Sequence, residues 1–208
     1  MKIIDISPLI DEDLAVWPGD VPFSREVSCD INADDNISLS SIRATTHLGA
    51  HTDAPNHYSA AGSGIDEVDL NKYYGACQVV SVAVKPGARI EVADVQCEIN
   101  QPRVLFRTSS NNERTVFNTS FNSLSVELVE FLQQRQVLLV GIDTPSVDPF
   151  DCKQLLAHQQ IAHSQMAILE GIDLRAATDG EYTLCALPLK IAHSDSSPVR
   201  AVLLEPKA

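Results

Sequence analysis

"SLSSIRATTHLGAHTDAPNHY", residues 38–58, alternates before it turns histidine-rich. Leu39, Ser41, Arg43, Thr45 and His47 share one parity, and Ile42, Ala44, Thr46 and Leu48 share the other. That is the period of a β-strand. A helix would put His47 and His51 on one face but turn Asp53 away, and Gly49 and Pro55 both oppose it. An extended chain instead points positions 47, 51, 53 and 57 to one side. Gly49 and Pro55 then bend the far end into a loop. The stretch predicts a strand that delivers three imidazoles and a carboxylate to a common side.

Working outward, "KIIDISPLI" (2–10) opens as a short strand, and "CQVVSVAVK" (77–85) and "RVLFRT" (103–108) are strand-like and β-branched. Pro86-Gly87 closes the first of that pair. "VLLVGID" (137–143) reads as a buried strand with the loop "TPSVDP" after it. "EYTLCALPLKI" (181–191) and "VRAVLLEP" (199–206) are late strands, the former carrying a proline that suggests an edge or bulge. "SVELVEFLQQRQ" (125–136) predicts a helix with Leu128, Val129 and Leu132 on one stripe and Ser125 as N-cap. "KQLLAHQQIAHSQ" (153–165) predicts a second helix. Residues 109–122, "SSNNERTVFNTSFN", are polar and aperiodic, a loop. Strands dominate and helices intervene irregularly, so the expected fold is α/β with a mixed sheet in a single domain, 1–208.

About 44% of the 208 residues are hydrophobic, enough for one substantial core. The formal charge of −13 argues against nucleic acid or an anionic membrane as partner. The start "MKIIDISPLIDEDLAVWPGD" is broken by Asp5 and further acids, so no signal peptide is expected. No apolar run reaches the roughly eighteen residues of a membrane-spanning helix. The five cysteines are scattered without a CxxC, which suggests neither a disulfide framework nor a thiolate zinc site. A cytoplasmic enzyme or binding protein fits these features.

Imidazole and carboxylate together suit Zn²⁺, Mn²⁺ or Fe²⁺, and the lack of a neighbouring cysteine disfavours a purely structural zinc. Further ligand candidates are His158, His163, Asp143, Asp148, Asp151 and Glu170. His158 and His163 lie five apart on one predicted helix and face different ways, and the residues alone do not choose between them. Glu170 sits in "AILEG", where an unpaired carboxylate would be costly, so it reads as a ligand or an ion-pair partner. His193 reads as a loop residue. Trp17, in "AVWPGD" (15–20), is either core or a stacking surface for a flat ligand.

"HLGAHTDAPNHY" (47–58) resembles the HxGTHxDxPxH signature of the cyclase-like metal-dependent hydrolases. The likeness continues through "AVWPGD", "VGIDTPSVDP" (140–149) and "ALPLKIAHSDSSPVRAVL" (186–203), and is weakest over 109–122. It is closest to the arylformamidase branch of that family. The resemblance implies an α/β fold of the cyclase-like, swivelling β/β/α type, with a mixed sheet and a few flanking helices. It also implies a homo-oligomer, a dimer or larger, and two divalent metal ions per chain, zinc or else manganese. Carried over, His47, His51 and Asp53 hold one metal, Asp53 bridges to the second, His158 holds the second, and Glu170 contacts both. The family spacing matches His158 to Glu170 and leaves His163 without a role. His57 matches a general acid/base, and Trp17 a substrate contact. The implied reaction hydrolyses N-formyl-L-kynurenine to L-kynurenine and formate, a step in tryptophan degradation. The alternatives are a hydrolase for isatin or another cyclic amide, and a metal- or ligand-binding protein without turnover. His57, surplus to coordination, speaks against the last. One departure is Ala50, where the signature has threonine; a hydroxyl there could support the ligands.

Overall fold

The computed structural model describes residues 2–205. In chain order its strands are β1 Ile3–Asp5, β2 Ser24–Cys29, β3 Leu39–Arg43, β4 His51–Asp53, β5 Tyr74–Ser81, β6 Arg89–Ile90, β7 Arg103–Arg107, β8 Ser123–Leu124, β9 Leu139–Ile142, β10 Ala167–Leu169, β11 Gly180–Cys185, β12 Ser196–Pro198 and β13 Val202–Leu204. The α-helices are α1 Val126–Gln134 and α2 Leu156–His163. Pro206, the last residue of the expected strand 199–206, lies outside the described residues.

Seven strands form one mixed sheet in the order β1-β13-β11-β5-β7-β9-β10. The half from β5 to β10 is parallel, and β11, β13 and β1 add to it antiparallel. Its central strands read as near-continuous apolar runs because both faces are covered. Cys77, Val79, Leu105, Leu139 and Leu169 face one core with Ile4, Leu184 and Leu203. Their alternating neighbours Val80, Val104, Phe106, Val140, Ile142 and Ile168 face the other, against Leu128, Val129 and Leu132 of α1 and Ala157 and Ile161 of α2. A period of two thus splits one sheet between two apolar layers.

The helices start where local chemistry lets them. The Ser125 hydroxyl accepts from the Leu128 N–H at 3.1 Å and caps α1. α2 begins at Leu156, later than the expected 153, because Leu155 takes a left-handed φ of 50°. Its first N–H groups are capped from outside: the Asp148 carboxylate accepts from Ala157 and His158 at 3.1 and 3.0 Å.

The histidine-rich segment bends at Gly49 and Pro55 as expected, but the strand leading into it ends earlier than its alternation suggests. β3 ends at Arg43 and pairs with β2 as an antiparallel hairpin outside the main sheet. The chain then bends through 44–50, with Gly49 at φ 58°, and is extended again only in β4. Pro55–His57 is a single 3-10 turn. Parity therefore relates His51 to Asp53, while His47 and His57 arrive by turns on either side. The expected strand 181–191 also stops short, at Cys185, three residues before Pro188.

Candidate metal centre

β4 is held on both edges. It pairs antiparallel with β12, Asp53 opposite Ser196 and His51 opposite Pro198. On its other side the His51 N–H donates to the Glu170 carbonyl at 3.1 Å, and the Glu170 N–H donates back at 2.9 Å. This reciprocal pair sets His51 beside Glu170, which emerges just after β10. Thr52 points the opposite way from His51 and Asp53, and its hydroxyl donates to the Ile168 carbonyl at 2.5 Å. The junction tolerates no side chain at Gly171: its φ is 65°, and a Cβ there would lie 2.2 Å from the Gly49 carbonyl oxygen.

Around this junction the side chains converge. His47 Nδ1 lies 3.1 Å from Asp53 Oδ1, and His51 Nε2 lies 3.6 Å from the same oxygen and 3.3 Å from Glu170 Oε2. His158 Nε2 lies 3.4 Å from Asp53 Oδ2 and 3.7 Å from Glu170 Oε1. Asp53, His51, His158 and Glu170 are almost wholly buried. Among the described residues, His51 Nε2 and both Asp53 oxygens are buried without a hydrogen-bond partner. Such orphaned atoms are costly in a protein interior, and a divalent cation supplies the partner that all of them lack. His51 Nδ1 is 2.9 Å from the Gly49 carbonyl, which can only accept. The proton therefore sits on Nδ1, and the Nε2 lone pair faces the gap. The donor set of imidazoles and carboxylates fits a divalent metal.

The electrostatics of the gap follow from its crowding. Burial alone would lower the His47 pKa, but Asp53 and Asp195 outweigh it and raise it to about 9. His158 is likewise opposed by burial, yet Asp148 and Asp53 raise it to about 10. Asp53 itself, against a burial that would raise it, is held well below the carboxylate range by His158 and His47. His57 goes the other way: burial lowers its pKa, and the charge of Asp53 only partly opposes this. An imidazole so placed is neutral at pH 7 and free to accept a proton.

His57 stands at the mouth of the gap, its ring centroid 4.3 Å from that of His47 and 6.1 Å from that of His158. Among the described residues, ligand-bearing atoms fall into three mutually close triads: His47 with His51 and Asp53, Asp53 with His57 and His158, and His47 with His57 and Asp195. Above them opens a cavity of about 470 Å³. One wall carries Trp17, which packs against Phe117 at 5.3 Å and Phe150 at 5.0 Å between centroids. The wall is completed by residues of the irregular segment 109–122, including Asn112, Arg114 and Phe117.

The structure thus brings together His47, His51, Asp53, His57, His158 and Glu170, with Trp17 lining the same cavity. His163 and Asp151 are exposed, and His193 lies in a loop. Asp143 reaches the cavity wall but is engaged by the Thr108 and Ser109 N–H groups and the Thr108 hydroxyl. Asp148, read from sequence only as a possible ligand, stands behind His158, its Oδ2 2.9 Å from Nδ1. Ala50 is buried in the apolar layer with Ile4 and Ile6, so the departure from threonine faces the core and not the gap. Asp195 was not singled out in the sequence, and it lies 3.1 Å from His47 Nε2. Its only signal was its place in "HSDSSP", 142 residues beyond Asp53, and nothing local joins the two.

Comparison with known proteins gives a consistent picture. Residues 4–149 match a family model described as "Putative cyclase". A kynurenine formamidase from Bacillus cytotoxicus is 36% identical over 206 residues, covering 96% of each chain. The solved structure of a potential metal-dependent hydrolase with cyclase activity superposes with a TM-score of 0.82 at 25% identity, over 99% of each chain. An isatin hydrolase bound to the product analogue thioisatinate gives 0.85 over 99% of this chain and 93% of that one, but at 17% identity that likeness concerns the fold alone. On the family match and the full-length relative together, this chain belongs to the Cyclase family of metal-dependent hydrolases.

Proposed function

We propose that this protein is a metal-dependent amide hydrolase that converts N-formyl-L-kynurenine to L-kynurenine and formate. The observation that carries the chemistry is the buried gap between His51 Nε2 and the two Asp53 oxygens, atoms without partners beside His47, His158 and Glu170. The choice of substrate rests on the full-length likeness to a kynurenine formamidase. In this reading His47, His51, Asp53, His158 and Glu170 would together hold two zinc ions. When bound, the metals supply Lewis-acid polarisation of the amide carbonyl and activation of water near neutral pH.

The chain's own residues do the rest. Water adds to the formyl carbon, and the C–N bond then breaks. His57 takes the proton that the water loses and returns it to the departing aniline nitrogen, which could not otherwise leave. Trp17 lies against the aromatic ring of the substrate, with Phe117 and Phe150 fixing the indole. A formyl carbon bears only hydrogen, so a narrow approach between the gap and His57 admits it and resists larger acyl groups.

The reading also includes a homodimer. The β2–β3 hairpin leaves Val27, Leu39 and Ile42 exposed, and an isolated two-stranded hairpin is marginal in water. A second copy of the chain is the occupant that would cover it.

The test uses purified, zinc-loaded protein and follows absorbance with three substrates. kcat/KM is expected to fall from N-formylkynurenine to N-acetylkynurenine by about 10–200-fold, the worth of one misplaced methyl-sized group, with isatin poorest. An enzyme that opens isatin faster than it deformylates kynurenine overturns the substrate and keeps the hydrolase. Full activity in metal-free protein overturns the mechanism.

A further inference from the structure

We propose that Asp195 is a positioning residue, which fixes the ring of His47 toward the metal gap and faces His57 with the same carboxylate oxygen. The inference rests on the reading of His47 as a metal ligand. Its ground is a regularity among the three imidazoles of the gap. Each has one nitrogen facing the gap and the other held from behind. His51 Nδ1 is held by the Gly49 carbonyl at 2.9 Å, and His158 Nδ1 by Asp148 at 2.9 Å. His47 presents Nδ1 to Asp53, and its far nitrogen, Nε2, lies 3.1 Å from Asp195 Oδ2. A carboxylate behind a ligating imidazole keeps the proton on the far nitrogen and the ring in plane with the metal.

Asp195 is itself held in place. The Thr46 hydroxyl donates to Oδ1 at 3.2 Å, which leaves Oδ2 for the imidazoles. The Ala54 N–H donates to the Asp195 carbonyl at 2.8 Å, next to the Asp53–Ser196 pairing of β4 with β12. The strand pair that carries Asp53 into the gap therefore carries Asp195 to its outer side. Oδ2 also lies 3.8 Å from His57 Nδ1. One carboxylate oxygen thus holds a ligand ring and faces the proton-transfer ring, whose centroids are 4.3 Å apart. Asp148 has no such double role: the structure places it behind His158 alone among the imidazoles.

The experiment compares Asp195→Ala and Asp195→Asn with His47→Ala. Zinc affinity is read by competition with a chromophoric chelator, and the exchange of the His47 ring N–H with water by NMR of the zinc-loaded protein. Asp195→Ala is expected to weaken zinc binding by about 10–100-fold, the usual cost of removing such a partner, and to bring the ring proton into fast exchange. With zinc saturating, its kcat is expected to fall with KM unchanged. Asp195→Asn, which retains an accepting oxygen and nearly the same volume, is expected to recover part of both losses, and it serves as the readout if the alanine variant does not fold. If His47→Ala loses zinc while both Asp195 variants keep wild-type affinity and slow ring-proton exchange, the proposal falls and the ligand reading stands. If His47→Ala keeps full zinc affinity, the ligand reading fails and the proposal with it.

Discussion

At the scale of single residues, the histidines around the gap divide by what holds the second nitrogen of each ring. His51 and His158 have it occupied from behind by the Gly49 carbonyl and Asp148, which turns their remaining lone pairs into the gap. His57 has no such tight partner, being 3.8 Å from Asp195, and its ring is partly exposed. A ring in that position can swing and exchange protons. His57→Ala is therefore expected to retain metal and fold and to lose about 10²–10⁴-fold in kcat, the range for general acid–base assistance. Metal content and turnover measured on the same sample decide this; a variant that sheds metal would make His57 a ligand. Trp17 carries a mixed role. Read from sequence as core or stacking surface, it lines the cavity and also packs on Phe117 and Phe150. Trp17→Ala is expected to raise KM for aromatic formamides and also to lower the melting temperature, since each aromatic pair is worth about 0.5–1.5 kcal/mol beyond its burial.

At the scale of elements, the decisive unit is the short strand β4 clamped between β12 and the end of β10. Three residues make too short a run for periodicity to detect, and β10 is no longer. What locks the unit is a buried side-chain hydrogen bond, Thr52 to the Ile168 carbonyl. Thr52→Val keeps the shape and removes the donor. It is expected to cost about 1 kcal/mol and so about 2–4 °C in a chain of this size. Zinc affinity should drop with it, because His51 and Asp53 ride on the same strand. A melting curve with a parallel chelator titration checks both, and unchanged values in the two measurements would mean that the backbone pairings with β12 and Glu170 hold β4 without it. The longer elements were legible in the sequence. The stripe Leu128, Val129, Leu132 with its Ser125 cap is α1 as expected, and β7 and β9 sit within the runs expected for them, while β5 covers 74–81 where 77–85 is expected. Ends were less legible, because the left-handed backbone at Leu155 delays the start of α2, and β11 stops at Cys185 while the apolar run continues to 191.

At the scale of the whole molecule, the gap concentrates Asp53 and Glu170 where two core layers meet the cavity, and metal should tie these parts together. Zinc at about a hundred times its dissociation constant adds about 2.7 kcal/mol to stability, so chelation is expected to lower the melting temperature by several degrees. The ligands must be unprotonated to bind, so affinity should fall as pH falls, with protons released on zinc uptake. Calorimetry in buffers of different ionisation enthalpy measures that release, and none detected would count against imidazole and carboxylate ligation. The hairpin makes a separate prediction. Ile42 is 70% exposed on β3, and Ile42→Asp is expected to convert a dimer into monomers by light scattering. A wild-type protein that is already monomeric at high concentration would sink that assignment.

Patterning along the chain was enough to locate the two helices and six of the seven sheet strands, all but the three-residue β10, because period and capping are local properties. It also put His47, His51, Asp53 and His57 within eleven positions, so their nearness needed little folding. Only the tertiary structure decided how they converge: the strand stops at Arg43, so that His47 reaches the gap through a bend and His57 through a 3-10 turn, not by a shared parity. The helical pattern left His158 and His163 open, the family resemblance implied His158, and the structure shows His158 buried and His163 exposed, since which helix face meets the core depends on what packs there. Asp195 reaches His47 across 148 positions of sequence through the pairing of β4 with β12. That two-stranded pairing lies outside the main sheet and joins segments distant in sequence, and no local pattern in the chain records it.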